Sequence, residues 1–269
     1  MIDVATAGIA TPTPQPTVSE WALELKGVSR SFGGLRAIND VTLRVAAGST
    51  HVVIGPNGAG KTTLFGLISG EIALTAGRVV MLGIDVSRWS ATRRTLAGLG
   101  RTYQITNVLA GLTVEENLLL ALRGKRPIKY SLFGTGRPHA DEDEKLTAIL
   151  TTCGIGEHRR DRAGAMSYGR QRQLELAIAL ANNPRVLLLD EPAAGLSPAE
   201  RGPMADLIRQ LPSDLTVLLI EHDMELALGL ADQVTCLYYG EVLAEGSPDA
   251  IRANEQVQAV YFGTAEHHA

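Results

Sequence analysis

The chain has 269 residues, 45% of them hydrophobic and 20% charged, and its formal net charge at pH 7 is −4. This length and composition predict a soluble globular protein with a sizeable buried core, organised as one large domain or two modest ones. The negative charge argues against binding nucleic acid through bulk charge, and no apolar run reaches the ~18 residues that cross a bilayer.

The beginning of the chain carries no basic segment followed by an apolar one, so a secretory signal is not expected. Residues 1–19 are rich in Thr and Pro and show no periodicity, which predicts a disordered leader. The two cysteines, Cys153 and Cys236, lie far apart without metal-ligand spacing. They indicate reduced thiols in a cytosolic protein.

Three segments near the start have the patterns of strands. Residues 21–25 and 41–45 alternate apolar and polar side chains, as half-buried strands do. Residues 31–35, between them, predict a turn that carries an aromatic residue. Residues 78–83 predict a further strand bounded by glycines.

The sequence GPNGAGKT at residues 55–62 matches the phosphate-binding loop pattern G-x-x-x-x-G-K-[ST]. A β-branched apolar run at 50–54 predicts the strand before it, and apolar spacing at 63–68 predicts the helix after it. Glycines in such a loop let successive N–H groups face one anion, and the positive end of the helix adds to that field. Lys61 would reach the β- and γ-phosphates and the Thr62 hydroxyl would bind Mg²⁺. The alternative is a glycine turn beside an exposed lysine.

Helical patterns dominate from about residue 98 to 184. Apolar spacing and terminal Gly or Pro residues predict three helices here, at residues 114–122, 141–153 and 169–183. Thr113 is the expected N-cap of the first, and Pro184 stops the last. Residues 123–139 are basic and broken by Pro and Gly, which indicates a loop with a solvated cationic face. A contact with lipid headgroups or an acidic partner is the alternative.

The strand pattern returns after Pro184. The runs at 186–189 and 216–220 are continuously apolar and end in polar residues, which is typical of central parallel strands buried on both faces. Open α/β sheets bind ligands at the carboxyl ends of such strands, so both ends would face the phosphate loop. A strand pair around Gly240 and short helices between 248 and 262 close the chain.

Residues suited to catalysis follow both runs. Asp190 comes after four apolar residues, the Walker B pattern, and would contact Mg²⁺. Glu191 is placed to polarise a water opposite the γ-phosphate, although acidic residues also end strands as turn formers. His222 holds the equivalent place on the other strand, where a γ-phosphate contact and a structural role are both open.

A second anion site is predicted where MSYGRQRQ, residues 166–173, opens a helix. The Ser167 hydroxyl and the Gly169 N–H lie at the positive end of that helix. Two phosphate-binding helix ends would be redundant for one nucleotide in one molecule. Two copies arranged head to tail would instead set each second site on the partner's γ-phosphate, which predicts a nucleotide-gated dimer.

In the order and spacing of these motifs, residues 21–247 resemble the ATP-binding subunits of ABC transporters. The matching motifs are GPNGAGKTT (Walker A), RTYQ (Q-loop), MSYGRQ (signature), VLLLDEP (Walker B and catalytic Glu), AAGLS (D-loop) and the histidine of EHDM (H-loop). The resemblance implies that Phe32 stacks on adenine and that Gln104 senses Mg²⁺ and the membrane partner. It implies nucleotide contacts by Gly55, Pro56, Asn57, Gly58, Ala59, Gly60, Lys61, Thr62, Thr63, Ser167 and Gly169. The implied catalytic residues are Glu191, His222 and Gln104, and the implied Mg²⁺ ligands are Thr62, Gln104 and Asp190.

A narrower resemblance concerns the branched-chain amino acid importer group. It rests on RTYQITNVLAGLTVEENLLLAL, the basic insert ending in SLF, DEPAAGLSP, EHDM and the ending AEGSPDAIRANEQVQAVYFG. The insert favours the larger of the group's two ATPase subunits. Three residues depart from the family pattern: Arg170 replaces Gln, Met166 replaces Leu, and Ser197 replaces Asp or Asn. The signature Ser and Gly are kept, and asymmetric use of the two ATP sites stays open.

The fold that the resemblance implies is a P-loop NTPase (RecA-like) α/β core with an antiparallel β edge subdomain and an inserted α-helical subdomain. Four divisions are expected: the leader at 1–19, the core at 20–97 and 185–247, the helical signature subdomain at 98–184, and C-terminal helices and tail at 248–269.

The expected function is ATP hydrolysis with Mg²⁺ that closes and reopens a dimer, powering uptake of branched-chain or related amino acids. Expected partners are polytopic membrane permease subunits, an identical or sibling ATPase and, indirectly, an extracytoplasmic solute-binding protein, with no nucleic acid. The expected location is cytoplasmic, on the inner face of the cell membrane. The alternatives are a urea or amide importer, a lipid-type exporter, an ABC protein of translation or repair, and a soluble P-loop enzyme. The last would not explain the signature or Gln104.

Overall fold

The computed structural model describes residues 20–103, 108–124 and 139–262. The predicted leader, Gln104 and residues 125–138 of the basic insert lie outside the described residues. In the described part the strands are β1 (Trp21–Phe32), β2 (Leu35–Ala46), β3 (Thr50–Ile54), β4 (Ala76–Met81), β5 (Ile84–Asp85), β6 (Leu99–Arg101), β7 (Val186–Asp190), β8 (Thr216–Ile220), β9 (Gln233–Tyr238) and β10 (Glu241–Gly246). The α-helices are α1 (Lys61–Ser69), α2 (Ala91–Leu96), α3 (Val114–Arg123), α4 (Ala140–Thr152), α5 (Tyr168–Leu180), α6 (Pro198–Arg209), α7 (Met224–Leu230), α8 (Pro248–Arg252) and α9 (Glu255–Phe262).

A six-stranded sheet in the order β10-β9-β3-β8-β7-β6 forms the centre of the protein. Its strands pair in parallel, except that β10 runs antiparallel to β9. All residues of β7 and β8 are buried, which explains their continuous apolar runs. Because β3, β7 and β8 are parallel, the phosphate loop and the polar residues after β7 and β8 follow the same edge of the sheet.

A second, antiparallel sheet has the order β2-β1-β4-β5. The turn between β1 and β2 is tight, since Phe32 pairs with Leu35. Both strands are longer than the alternation predicts, because register shifts interrupt the two-residue period and hide their continuation. The predicted strand at 78–83 begins earlier, at Ala76, and ends at Met81.

Two hydrophobic clusters cover the two faces of the central sheet. On β7, Leu187 and Leu189 belong to one cluster and Val186 and Leu188 to the other, as alternation of side chains requires. The first cluster gathers apolar residues of α3 to α7, and the second gathers those of α1 and the antiparallel sheet. Both cysteines, Cys153 and Cys236, are free and buried within the first cluster.

The range 98–184 is not helical throughout, contrary to the sequence pattern. Leu99–Arg101 forms β6 and pairs in parallel with β7, so its first residues belong to the central sheet. Helices α3, α4 and α5 follow the predicted segments, and Thr113 caps α3 in a capping box with Glu116. Helix α5 ends at Leu180, three residues before the predicted end. Across the described residues, no helix combines the length and the apolar character needed to cross a membrane.

Candidate functional site

The phosphate loop joins β3 to α1 and has glycines where its backbone requires them. Gly55 and Gly60 have φ angles of 150° and 101°. A Cβ atom on Gly55 would lie 2.3 Å from the Leu237 carbonyl oxygen, and one on Gly60 would lie 2.7 Å from that of Ala37. Gly58 also has a positive φ, 81°, but open space around it. Two of these glycines are therefore required by packing against neighbouring strands as well as by conformation.

Lys61 is the first residue of α1 and is only 7% exposed. Its Nζ donates hydrogen bonds to the carbonyl oxygens of Gly55 (2.6 Å) and Pro56 (3.0 Å). Burial lowers the pKa of Lys61, while the nearby carboxylates of Glu191 and Asp190 oppose that shift. The ammonium group thus lies inside the curl of the loop, close to two acidic residues that the sequence assigned to the site.

A cavity of about 380 Å³ opens over this loop. Eight predicted site residues line it: Asn57, Gly58, Ala59, Gly60, Lys61, Thr62, Thr63 and Glu191. Four residues that the sequence did not single out complete the lining: Leu35, Arg36, Ala37 and Tyr239. Tyr239 is 76% exposed and follows β9 with a φ of 46°. Only the structure brings the end of β9 and the start of β2 to the loop.

A larger cavity, about 480 Å³, lies at the amino ends of the central strands. Its lining includes Gly48 before β3, Arg185 before β7 and Leu215 before β8. We assign the functional site to the smaller cavity, because parallel α/β sheets bind ligands at the opposite, carboxyl ends of their strands.

Asp190 ends β7, is 2% exposed and faces a cation that the sequence pattern does not reveal. Arg101 at the end of β6 brings Nη2 within 3.5 Å of Asp190 Oδ2, and its Nη1 donates to Ser69 Oγ (2.7 Å) and Glu71 Oε2 (2.9 Å). Burial raises the pKa of Asp190, and the Arg101 charge opposes the rise. Arg101 belongs to the RTYQ segment, but its partner cannot be identified until β6 is paired with β7.

Oxygen donors suited to Mg²⁺ are available at this edge. Thr62 is an exposed residue with a hydroxyl, and Asp190 offers a carboxylate. In nucleotide sites Mg²⁺ commonly binds one or two protein oxygens together with substrate phosphates. The donor set therefore fits the ion.

Glu191 and His222 lie next to each other at the ends of the paired strands β7 and β8. Glu191 Oε2 lies 3.8 Å from His222 Nδ1, and the Glu191 side chain is 19% exposed at the cavity wall. Glu191 has a φ of 48°, which is uncommon for a residue with a Cβ atom. Its N–H donates to the Ile220 carbonyl oxygen at 3.0 Å, joining the end of β7 to that of β8.

A further buried carboxylate, Glu221, is not predicted by the sequence. Glu221 is 0% exposed and accepts hydrogen bonds from the N–H groups of Ala193 (3.2 Å) and His222 (3.3 Å). Burial raises its pKa. Its place between an apolar run and His222 is the one sequence signal that could have found it.

The predicted second anion site lies outside the loop cavity. Ser167 is the N-cap of α5, and Gly169 follows in the first turn beside Glu200 of α6. Neither lines the cavity. Phe32 is also absent from the lining; it is 43% exposed, and Arg30 lies over its ring at 4.4 Å. The hairpin partner of Phe32, Leu35, lines the cavity instead.

Comparisons with known proteins agree on one family. A family described as "ABC transporter" matches residues 38–194, and one described as "Branched-chain amino acid ATP-binding cassette transporter" matches residues 241–267. The BraF branched-chain amino acid transport ATP-binding protein of Pseudomonas aeruginosa is 37% identical over 250 residues, covering 90% of this chain and 98% of BraF. The corresponding LivG protein of Escherichia coli K12 is 35% identical over 257 residues, covering 92% of this chain and all of LivG.

Solved structures agree with the sequence comparisons. A nucleotide-free ATP-binding cassette from an ABC transporter has a TM-score of 0.80 at 27% identity, covering 90% of this chain and 99% of that one. An ATP-binding cassette in its ADP conformation has a TM-score of 0.81 at 27% identity, covering 91% and 100%. With a P-loop NTPase fold, a nucleotide-binding loop and family matches over most of its length, the chain belongs to the ATP-hydrolysing ATP-binding cassette proteins of ABC transporters.

Proposed function

We propose that this protein is the ATPase subunit of an importer for branched-chain or related amino acids. The observation that carries the hydrolytic role is the position of Glu191, whose carboxylate lines the phosphate-loop cavity 3.8 Å from His222. The direction and the solute class are supported by the names of BraF and LivG and by the match at residues 241–267.

In the proposed mechanism the loop N–H groups and Lys61 bind the β- and γ-phosphates. Thr62 and Asp190, with Gln104, would hold Mg²⁺, and the ion would supply positive charge against the charge that develops on the phosphates. Phe32, whose hairpin partner Leu35 lines the cavity, would stack on the adenine. Glu191 accepts a hydrogen bond from the attacking water, orients it and acts as the base that takes its proton.

The contact with the γ-phosphate is assigned to His222, which lies beside Glu191 and does not itself line the cavity. Its side chain is 57% exposed, and its Nδ1 faces Glu191. A donor there would stabilise charge that grows on the transferred phosphoryl group while Glu191 holds the water. The two side chains come from neighbouring strand ends, so their separation is set by the pairing of β7 with β8.

The proposed dimer follows from the position of the signature residues. Ser167 and Gly169 lie at the positive end of α5 and do not line their own chain's cavity. In a head-to-tail pair they would receive the partner's γ-phosphate. We propose a second ABC ATPase as that partner, with polytopic permease subunits at the inner face of the cell membrane and a solute-binding protein acting from outside.

Replacing Glu191 by Gln tests the hydrolytic role. Glu191→Gln should lower turnover at least about 100-fold, because the amide cannot act as a base, while ATP binding is retained. The variant should accumulate as an ATP-bound dimer in size-exclusion chromatography. Glu116→Gln, which alters an exposed cap of α3, is the control. ATP hydrolysis at the parental rate by Glu191→Gln would refute the assigned role.

The transport role needs a separate test. The tagged chain should co-purify from gently solubilised membranes with two polytopic proteins and a second ATPase, and the reconstituted complex should take up leucine, isoleucine or valine when ATP is supplied. Uptake of urea or an amide instead, or outward movement of lipid, would replace the proposed solute class. Recovery of the chain alone would contradict the transport role.

A further inference from the structure

The backbone at Glu191 requires a restraint. A residue with a Cβ atom in the left-handed region is strained and persists only where its surroundings hold it. Glu191 adopts φ 48° immediately after β7. Its N–H bonds to Ile220, and the Ala194 N–H bonds back to its carbonyl oxygen at 3.0 Å. These contacts fix the start of the turn, and the Leu196 N–H, which donates to the Ala193 carbonyl oxygen at 3.2 Å, continues it. A contact from outside the turn adds a further restraint.

Glu221 supplies a contact of this kind. One of its oxygens, Oε1, accepts from the Ala193 N–H, two residues beyond Glu191. The other, Oε2, accepts from the N–H of His222 and lies 3.9 Å from His222 Nδ1. One fully buried carboxylate at the end of β8 therefore bonds to the turn that follows Glu191 and to the residue that faces Glu191.

We infer that Glu221 is a positioning residue, which holds the turn after β7 and the backbone of His222 so that the Glu191 carboxylate faces the phosphate-loop cavity. This inference rests on the proposed roles of Glu191 and His222. Glu221 itself does not line the cavity. Its effect on turnover is exerted through the two hydrogen bonds and depends on the length of its side chain as well as on its charge.

Substitution by Asp and by Gln separates length from charge. Asp keeps the charge, but its side chain is one methylene shorter and cannot reach both N–H groups. We expect Glu221→Asp to lower kcat about 10- to 100-fold through misplacement of Glu191, with ATP affinity close to that of the parent. Gln keeps the length and one acceptor oxygen, so Glu221→Gln should lose only several-fold in kcat.

Dimer accumulation is the readout that a purely structural role would not change. If Glu191 is misplaced while the nucleotide site is intact, Glu221→Asp should accumulate an ATP-bound dimer, as Glu191→Gln does. Binding of a fluorescent ATP analogue, kcat and size-exclusion profiles with ATP would be measured for each variant. Glu142→Asp is the matched control: Glu142 is 2% exposed and accepts a backbone hydrogen bond from His139 (3.0 Å), but it lies in α4. This control should lower the melting temperature and leave kcat unchanged.

Any of the following results would overturn the inference. A kcat equal to that of the parent in Glu221→Asp would contradict the positioning role. Loss of ATP binding in parallel with the loss in kcat in that variant would also contradict it. If Glu221→Asp does not fold, Glu221→Gln decides: a parental kcat, or a loss of ATP affinity equal to the loss in kcat, contradicts the positioning role. The behaviour of Glu191→Gln distinguishes failure of the inference about Glu221 from failure of the proposed function. If it traps the dimer and Glu221→Asp does not, only the inference about Glu221 fails; if it does not trap the dimer, the proposed function fails first.

Discussion

Gly58 and Gly60 have similar backbone conformations in different surroundings. Both have positive φ angles, which cost a residue with a side chain about 1 kcal/mol or more. A Cβ atom on Gly58 would have no neighbour within 4 Å, whereas one on Gly60 would meet the Ala37 carbonyl oxygen and the Ile38 side chain. The absence of a side chain at Gly60 therefore allows β2 to contact the phosphate loop.

Alanine at each position should separate strain from steric conflict. We expect Gly60→Ala to weaken ATP binding at least about 100-fold, because either the loop or β2 must move by more than a side-chain adjustment. Gly58→Ala adds only the backbone cost and should weaken binding by about 10-fold or less. Titration with a fluorescent ATP analogue measures both. Equal losses in the two variants would show that contact with β2 does not matter.

At the level of elements, α2 provides the hydrogen-bond donor for carbonyl groups at the C-terminal end of α1. Helix α1 has no basic residue in its last turn. Arg94 of α2 is 1% exposed and donates from Nη1 to the carbonyl oxygens of Leu67 (2.7 Å) and Ile68 (2.6 Å). The same guanidinium donates to Ser87 and Trp89 at 3.3 Å. A cation from another helix thus satisfies the carbonyl end of the helix whose amino end follows the phosphate loop.

The neighbouring arginines of α2 provide a comparison. Arg94→Leu should lower the free energy of unfolding by about 3 kcal/mol, since buried carbonyl groups lose charged donors. Arg93→Leu should cost under about 1 kcal/mol, because Arg93 is exposed and its contact is with the Trp89 ring at 3.9 Å. Urea denaturation monitored by circular dichroism gives both values. Similar losses in the two variants would contradict this account of Arg94.

The elements that the sequence predicted well are those whose patterns arise from their own burial. Strands β7 and β8 are buried on both faces and therefore continuously apolar, and the loop between β3 and α1 has several constrained positions. Strand β6 was missed because three residues, Leu-Gly-Arg, cannot display a period and become a strand only through pairing with β7.

The site shows the same limit. The assignment of Asp190, Glu191 and His222 to the proposed site uses only adjacent sequence, as does that of the loop. The partners of Arg101 and Glu221 lie on other elements, 89 and 28 residues away, and no local pattern distinguishes these two residues from ordinary strand-end charges. Tyr239 reaches the cavity only because β9 lies beside β3.

The stability of the whole molecule is coupled to one buried histidine. His51 in β3 is 1% exposed, and its Nε2 pairs with Thr235 Oγ1 of β9 at 2.8 Å. Burial lowers the pKa of His51 to about 4 from 6.5. Between those two values the unfolded chain binds a proton that the folded protein does not, so the fold loses stability as pH falls.

This loss should be measurable in the free energy of unfolding. Between pH 6.5 and 4 the contribution of His51 amounts to roughly 3 kcal/mol, at about 1.4 kcal/mol per pH unit. His51→Gln keeps a partner for Thr235 but does not titrate, so its stability should fall less steeply over the same range. Carboxylates titrate in both proteins, and the difference between the two slopes isolates His51. Identical slopes would mean that His51 is accessible to protons in the folded protein.

The burial of both cysteines has a practical consequence. The sequence contains two cysteines, and burial raises the pKa of Cys153 to about 12 and that of Cys236 to about 11. Since the thiolate is the reactive form, maleimides and nitroxide reagents at neutral pH should leave both unlabelled. A single introduced cysteine should therefore be the site of labelling, and neither Cys153 nor Cys236 needs to be replaced first. Ile84 in the antiparallel sheet and Leu120 in α3 are both about half exposed. Cysteines introduced at these two positions could carry spin labels, and the distance between the labels could be measured through the ATP cycle.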